Sequence, residues 1–404
     1  MTMQPLSFVQ IVKASPSAVF RAFTRPIALR EWLCDGAVAE ARPGGHYHFW
    51  WNSGYYASGE FTMVEQDKAA AFTWQGRREP GATQVAVSLA PAAAGVQITL
   101  THSGLAAGPE WAAAAQEISR GWEVGLENLV SVLETGLDLR FVRRPVLGVN
   151  LDEFNADIAA RMGVPVTEGV RLSGVVGGLG AQAAGLQSDD VIVAIGGAAI
   201  NDWPTLVTAL QRQRAGDRVL VVFWRGSEKR TVEMTLSARS LPEVPAAADA
   251  LAAALQGIYD EFGEEVARCF EGVSDARAAH KPAANEWSAL DAVAHLIATE
   301  RENLVWIADV INDAERWPDR FENTTNVPAR IAGTVAAYPT VAAMMDELKR
   351  NQTEATATIA ALPAEVVARK GTYWRLGRDL LLASEHIREH IGQIRAAIQM
   401  APAQ

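Results

Sequence analysis

The texture of this chain changes twice, and each change marks a different way of burying apolar residues. Residues 1–140 alternate strand-like segments with turns and close on a long helical stretch. Residues 145–240 are short-stranded and rich in glycine and valine; from Pro245 onward the sequence is alanine-rich and helical. A period near 2 and a period near 3.6 belong to different elements. The chain therefore reads as three modules, 1–140, 145–240 and 245–404, of overall multidomain α+β class, and its 404 residues suit two to four domains. The second seam, Ser237 to Pro245, is marked by Pro242 and Pro245. The first seam holds only Arg143, Arg144 and Pro145, which predicts close coupling of the first two modules.

Composition removes several function classes. A net charge of −11 argues against nucleic acid as a main partner, because phosphate binding needs concentrated Lys and Arg. The local basic run from Arg140 to Arg144 reads as a solvated linker. Two cysteines, Cys34 and Cys269, fall in different modules, which excludes a disulfide framework and fits a reducing compartment. There is no apolar signal-peptide core after Met1 and no run of membrane-span length. The expectation is a cytoplasmic protein that engages neither membrane nor nucleic acid.

In the first module Ser15 and Pro16 start a short helix, as N-cap and first-turn residue. Strands are predicted near Gly45–Trp51, Gly59–Glu65, Ala70–Gln75, Val85–Leu89 and Val96–His102. The closing helix, about Trp111–Glu134, lines up Ile118, Trp122, Leu126, Leu129 and Leu133 on one face. An antiparallel sheet wrapped on such a helix is a helix grip. On Pro16, Val19-Phe20, Trp32-Leu33, Pro43-Gly44-Gly45, Gly59, Phe72-Thr73-Trp74, His102-Ser103-Gly104 and Gly121-Trp122, residues 7–138 resemble the START-like (SRPBCC) superfamily. The branch is the one named for the activator of the heat-shock-protein-ninety ATPase. The resemblance implies an apolar small-molecule cavity, with Trp50, Trp74 and Trp122 as candidate liners; plain core packing is the competing role for aromatics. His46 and His48 share a strand face with no third ligand nearby, which favours a polar or solvent-facing role.

The middle module contains Gly180 to Leu186, then Asp190-Val191-Ile192-Val193-Ala194-Ile195-Gly196-Gly197, a helix near Trp203–Arg214, and Gly216-Asp217-Arg218-Val219. It resembles HtrA-type PDZ domains, small β-barrel-like folds that bind a peptide C-terminus by strand addition. The resemblance makes Leu147, Gly148 and Val149 the carboxylate loop, with Leu206 and Leu210 bordering the side-chain pocket. Asp189 stands where the family usually has glycine, and Asp is among the residues that tolerate left-handed geometry. A groove occupied internally and serving as a spacer is the competing reading. No serine-nucleophile motif precedes this module.

In the last module, helices are predicted at about 246–273, 287–313, 339–361 and 376–399, punctuated by Pro282, Pro363 and Gly377. The connection from Arg316 to Pro339 is long for a bundle and suggests a lid or a packed excursion. His386 and His390, four residues apart, share a helix face; His295 begins another long helix. Three neutral imidazoles plus an open position make a potentially catalytic divalent site. His386-Ile387-Arg388-Glu389-His390 also fits the H-x-x-E-H protease pattern, but the chain ends at Gln404, too soon for a further helix to supply the expected carboxylate. Trp287-Ser288 with His295, and His386-x-x-x-His390-x-x-Gln393, resemble the DinB-like four-helix bundles over about residues 245–400. That resemblance implies a divalent metal (Zn, Ni or Fe) on His295, His386 and His390, and transferase chemistry on a low-molecular-weight thiol. Asp291 and Glu389 are candidate orienting acceptors. The competing account is a non-enzymatic ligand sensor or adaptor, co-chaperone-like, with a structural bundle.

Overall fold

The computed structural model describes residues 3–211, 213–314 and 326–402. They fall into two compact units: Met1–Trp51, Tyr55–Leu137 and Pro242–Gln404 make one, and Asp138–Leu241 with Asn52–Gly54 make the other. The first and last modules are thus a single unit, whereas the short seam at Arg143–Pro145 predicts close coupling of the first two. Among the described residues no helix is long and apolar enough to cross a membrane.

The first module runs β1 (Leu6–Val12), α1 (Pro16–Thr24), α2 (Pro26–Trp32), β2 (Gly36–Ala39), β3 (His46–Trp50), β4 (Tyr56–Glu65), β5 (Ala69–Gly76), β6 (Thr83–Ala92), β7 (Gly95–Ser103) and α3 (Pro109–Thr135). Its strands form one antiparallel sheet in the order β1-β7-β6-β5-β4-β3-β2. Ser15 caps α1 through its side chain, with Pro16 at the first turn. The inner face of the sheet supplies Tyr47, Phe49, Phe61, Phe72, Val85 and Leu100, which pack with Ile118, Trp122, Leu126 and Leu129 of α3. This is the helix grip expected from the alternating and 3.6-residue patterns.

The middle segment contains α4 (Leu139–Val142), β8 (Pro145–Val146), β9 (Val149–Asp152), α5 (Ala156–Met162), β10 (Val170–Val175), α6 (Gly180–Ala183), β11 (Val191–Ile195), β12 (Ala198–Ala199), α7 (Trp203–Leu210), β13 (Arg218–Arg225), β14 (Glu228–Thr235) and β15 (Ser237–Ala238). The main sheet runs β14-β13-β11-β10-β9, with β12 on β11, and is open rather than a closed barrel. Asp189 adopts φ +69° and accepts from Arg171, so the turn survives without glycine. Asp190, fully buried, accepts two hydrogen bonds from Arg225 at 2.7 and 2.8 Å, which satisfies its charge. β15 pairs with β8 and ties the two ends of the segment together.

The last module supplies α8 (Ala248–Cys269), α9 (Asp275–Ala278), α10 (Ala289–Ile311), α11 (Val327–Ala337), α12 (Val341–Ala360), α13 (Ala364–Ala368) and α14 (Lys370–Met400). α8, α10, α12 and α14 make the bundle, each packing on two others around Leu255, Tyr259, Ile297, Met344, Leu348, Leu380 and Ile391. Two features differ from the pattern-based expectation. The long connection carries α11, while its 316–325 portion lies outside the described residues. Gly377 does not start the last helix but sits within it: a Cβ there would lie 2.4 Å from Val244 Cγ1, so the glycine admits the Pro242–Pro245 seam against α14.

The sheet module and the bundle meet through buried groups. Ile27 of α2 joins the bundle's apolar core. Beside it, Thr372 Oγ1 donates to the buried Glu31 carboxylate, and Arg21 bonds Asp313 (3.2 and 2.5 Å) and Thr372 (3.3 Å). Burial raises the Glu31 pKa, and Arg21, Arg375 and the Thr372 hydroxyl only partly offset it. Gly371 allows the close approach, since a Cβ there would lie 2.6 Å from Val132 Cγ1.

Candidate metal centre

The local sequence explains how the three histidines meet. Ser288 caps α10 in a capping box with Asp291, which fixes where the helix begins and puts His295 on its second turn. His386 and His390 lie one turn apart on α14, which packs on α10. The ring centroids stand 5.4 Å (His295–His386), 4.7 Å (His295–His390) and 4.4 Å (His386–His390) apart. One nitrogen from each ring lies within 4.8 Å of the others. Trp287 closes one side, 5.0 Å from the His295 ring and stacked on His390 at 6.0 Å. The Trp-Ser pair thus has two roles, a roof and a cap.

Hydrogen bonding sets the donor atoms. Gln393 Oε1 lies 2.9 Å from His390 Nδ1 and can only accept, so that nitrogen holds the proton and Nε2 offers a lone pair. His390 Nε2 lies 3.2 Å from His386 Nε2. Two nitrogens bound to one tetrahedral ion at about 2.0–2.1 Å stand about 3.3 Å apart, so this pair already has ligand spacing. Burial, then His390, His386 and Arg330, pulls the His295 pKa down to about 4. Burial and His390 also lower that of His386. Depressed values keep these rings neutral near pH 7 and reduce proton competition with a cation. The donor set and its spacing fit a divalent metal with an open position.

The orienting partner differs from both carboxylates suggested by the sequence. Asp291 accepts from the Ser288 backbone N–H and pairs with Lys281 at 3.1 Å, and Glu389 faces solvent. Gln393, visible in the sequence only as the last residue of the closing motif, does the orienting.

The other predicted residues are placed as follows. Trp74 and Trp122 meet in the first module's core with centroids 5.5 Å apart. Trp50 is on the opposite face of β3, stacked with His48 and covering Gly36. His46 and His48 are exposed. Leu147 is buried, Gly148 adopts φ +78° with a Cβ position 2.4 Å from Leu179 Cβ, and Val149 opens β9 at the end of its sheet. On α7, Leu206 is buried and Leu210 half-buried against the same core.

Three family models match three separate stretches: activator of Hsp90 ATPase homolog 1-like protein over residues 13–134, PDZ domain over 145–236, and DinB superfamily over 258–394. The chain is built of these three modules. Among curated proteins it is 28% identical over 121 residues to the periplasmic pH-dependent serine endoprotease DegQ of Escherichia coli, covering 30% of this chain and 26% of that protein. It is 32% identical over 112 residues to a probable periplasmic serine protease do/HhoA-like of Haemophilus influenzae, covering 28% and 23%. The chain therefore spans about a quarter of the length of these curated relatives. Among solved structures, it is similar to the Aha1 dimer from Colwellia psychrerythraea at 20% identity and TM-score 0.29, over 33% of this chain and 97% of that one. A protein from Mesorhizobium loti matches at 22% identity and TM-score 0.30, over 32% and 96%.

Proposed function

We propose that the DinB-like module binds a divalent metal through His295, His386 and His390 and uses it in transferase chemistry on an external thiol. The convergence of three imidazole nitrogens within 4.8 Å carries this reading. Bound Zn²⁺, Ni²⁺ or Fe²⁺ would lower the pKa of a thiol at its open position. Gln393 holds the His390 tautomer, and Trp287 shields the rings from water. The thiol sulfur forms a bond to an electrophilic carbon, the leaving group departs with the bonding pair, and the thiol proton passes to solvent. Cys34 is buried in the first module and Cys269 lies at the end of α8, so a low-molecular-weight thiol is the reactant rather than a cysteine of the chain.

In this reading the modules occupy 1–140, 145–240 and 245–404. The START-like module holds an apolar small molecule near Trp74 and Trp122, whereas Trp50, on the other face of β3, lies outside that cavity. The PDZ module takes a peptide C-terminus at Leu147–Val149, with β9 as the receiving strand and Leu206 and Leu210 beside it. Two free thiols fit a cytoplasmic setting.

Elemental analysis of the full chain beside a His386→Ala/His390→Ala variant tests the core of the proposal. About one metal ion per chain, lost in the variant, is expected. Equal metal content in the two proteins, or none after adding divalent ions, rejects it. Metal without thiol-dependent turnover across a panel of electrophiles rejects the transferase part.

A further inference from the structure

One turn along α10 from His295, a cleft of about 270 Å³ opens between α10 and α11. It lies just below the roughly 300–1,000 Å³ of drug-sized ligand sites, which suits a small metabolite. Ala298, Arg301, Arg330, Thr334 and Tyr338 line it, and among the described residues none that lines it is acidic. His295, Ala298 and Glu302 form one stripe of α10, and Arg330 of α11 lies across that stripe, bonded to Glu302 and, at 2.7 Å, to the Ala298 carbonyl. Three residues of helix rise about 4.5 Å, so the cleft begins about one turn along α10 from His295, and the Arg330 charge is felt at that ring.

Among the described residues the charges here do not cancel. Arg301 and Arg350 both bond Glu347, the first at 2.7 Å and the second at 3.0 and 2.7 Å. With Arg330 on Glu302, three guanidiniums share two carboxylates. Each guanidinium has five N–H donors, and these partners leave donors of Arg301 and Arg330 for a further acceptor. Burial and the nearby Arg301 both disfavour the charged form of Arg330. An anion in the cleft would relieve that repulsion. Thr334 adds a buried hydroxyl, and Arg301 lies 5.9 Å from the Tyr338 ring centroid, so the wall is polar and formed in advance.

We infer that the Arg301–Arg330 cleft binds the carboxylate of a small-molecule substrate whose other end reaches the three-histidine point. Only the role of that second end rests on the metal-and-thiol reading above. The cleft then selects anionic thiols or anionic electrophiles over neutral ones.

Calorimetric titration of the metal-free full chain with succinate tests the cleft by itself. Saturable binding is expected, weakened about 10-fold or more by Arg330→Gln and by Arg301→Gln, with circular dichroism confirming that each variant is folded. No saturable binding by the wild-type chain, or binding that both variants retain, overturns the inference. A second arm loads the chain with Co²⁺ and follows sulfur-to-cobalt absorption with mercaptosuccinate and with 2-mercaptoethanol. Half-saturation at about 10-fold lower mercaptosuccinate, an advantage lost in Arg330→Gln, supports the coupled use of cleft and metal. Succinate binding with no sulfur band from either thiol supports the carboxylate site and rejects the thiol reading.

Discussion

His102 in the sheet module and His390 in the bundle are both buried, at 0% and 5% exposure, yet they hold opposite tautomers. His102 Nδ1 accepts from Trp122 Nε1 at 3.0 Å, so its Nε2 carries the proton and meets Thr83 Oγ1 at 2.7 Å. Both nitrogens of that ring end on neutral protein partners. His390 spends its proton on Gln393 and turns the free lone pair toward His386 and His295. Burial alone therefore does not separate a core histidine from a candidate ligand. The destination of the second nitrogen does.

Substitution should break this contrast most sharply at His102. Replacing it with Leu orphans the Trp122 N–H inside a packed core and should destabilise the sheet module by about 2–4 kcal/mol. The readout is an earlier urea transition in Trp fluorescence, with metal content unchanged; a loss of metal would show that the two histidine environments are linked.

Acid should produce an effect of similar size. Burial holds His102 at about 4, below its ordinary 6.5. Between those values the unfolded chain binds the extra proton and the native one does not. The stabilising contribution of the neutral ring is thus fully present above about pH 6.5 and is lost as pH falls through 4, a change of about 3 kcal/mol. Urea midpoints between pH 7 and 4 should fall steeply for the wild-type chain and less steeply for His102→Leu. Equal slopes would mean that His102 is not the titrating group.

The smallest change sharpens the other side. Gln393→Ala frees the His390 tautomer without removing a ligand and should weaken metal affinity about 10-fold, measured by chelator competition. An unchanged affinity would return Gln393 to a purely structural role.

Much of this was legible in the chain because the relevant signals are local. The four-residue spacing of His386 and His390, the Ser288 cap before His295 and the alternation of β3 all act within a turn or a strand. The bundle helices accordingly lie within a few residues of their predicted ranges, apart from the start of α14. The association of the first and last modules was not legible. It depends on Ile27, Glu31, Gly371 and Thr372, which are brought together across about 340 residues, and each reads locally as an ordinary helix residue. Trp50 eluded prediction for a related reason: an aromatic run in a strand does not say which parity faces inward until the sheet's partner helix is placed.

The pairing of β8 with β15 has a consequence for assembly. Joining the two halves of the first unit across a loose segment of roughly a hundred residues would carry a large loop-closure entropy. Once residues 138–241 have folded, that pair holds the segment's ends side by side, and the effective tether shrinks to about ten residues, 138–144 and 239–241. By the logarithmic dependence of closure entropy on loop length, this favours union of the halves by about 2 kcal/mol. The inserted domain thus acts as a splint that shortens the search between the sheet module and the bundle.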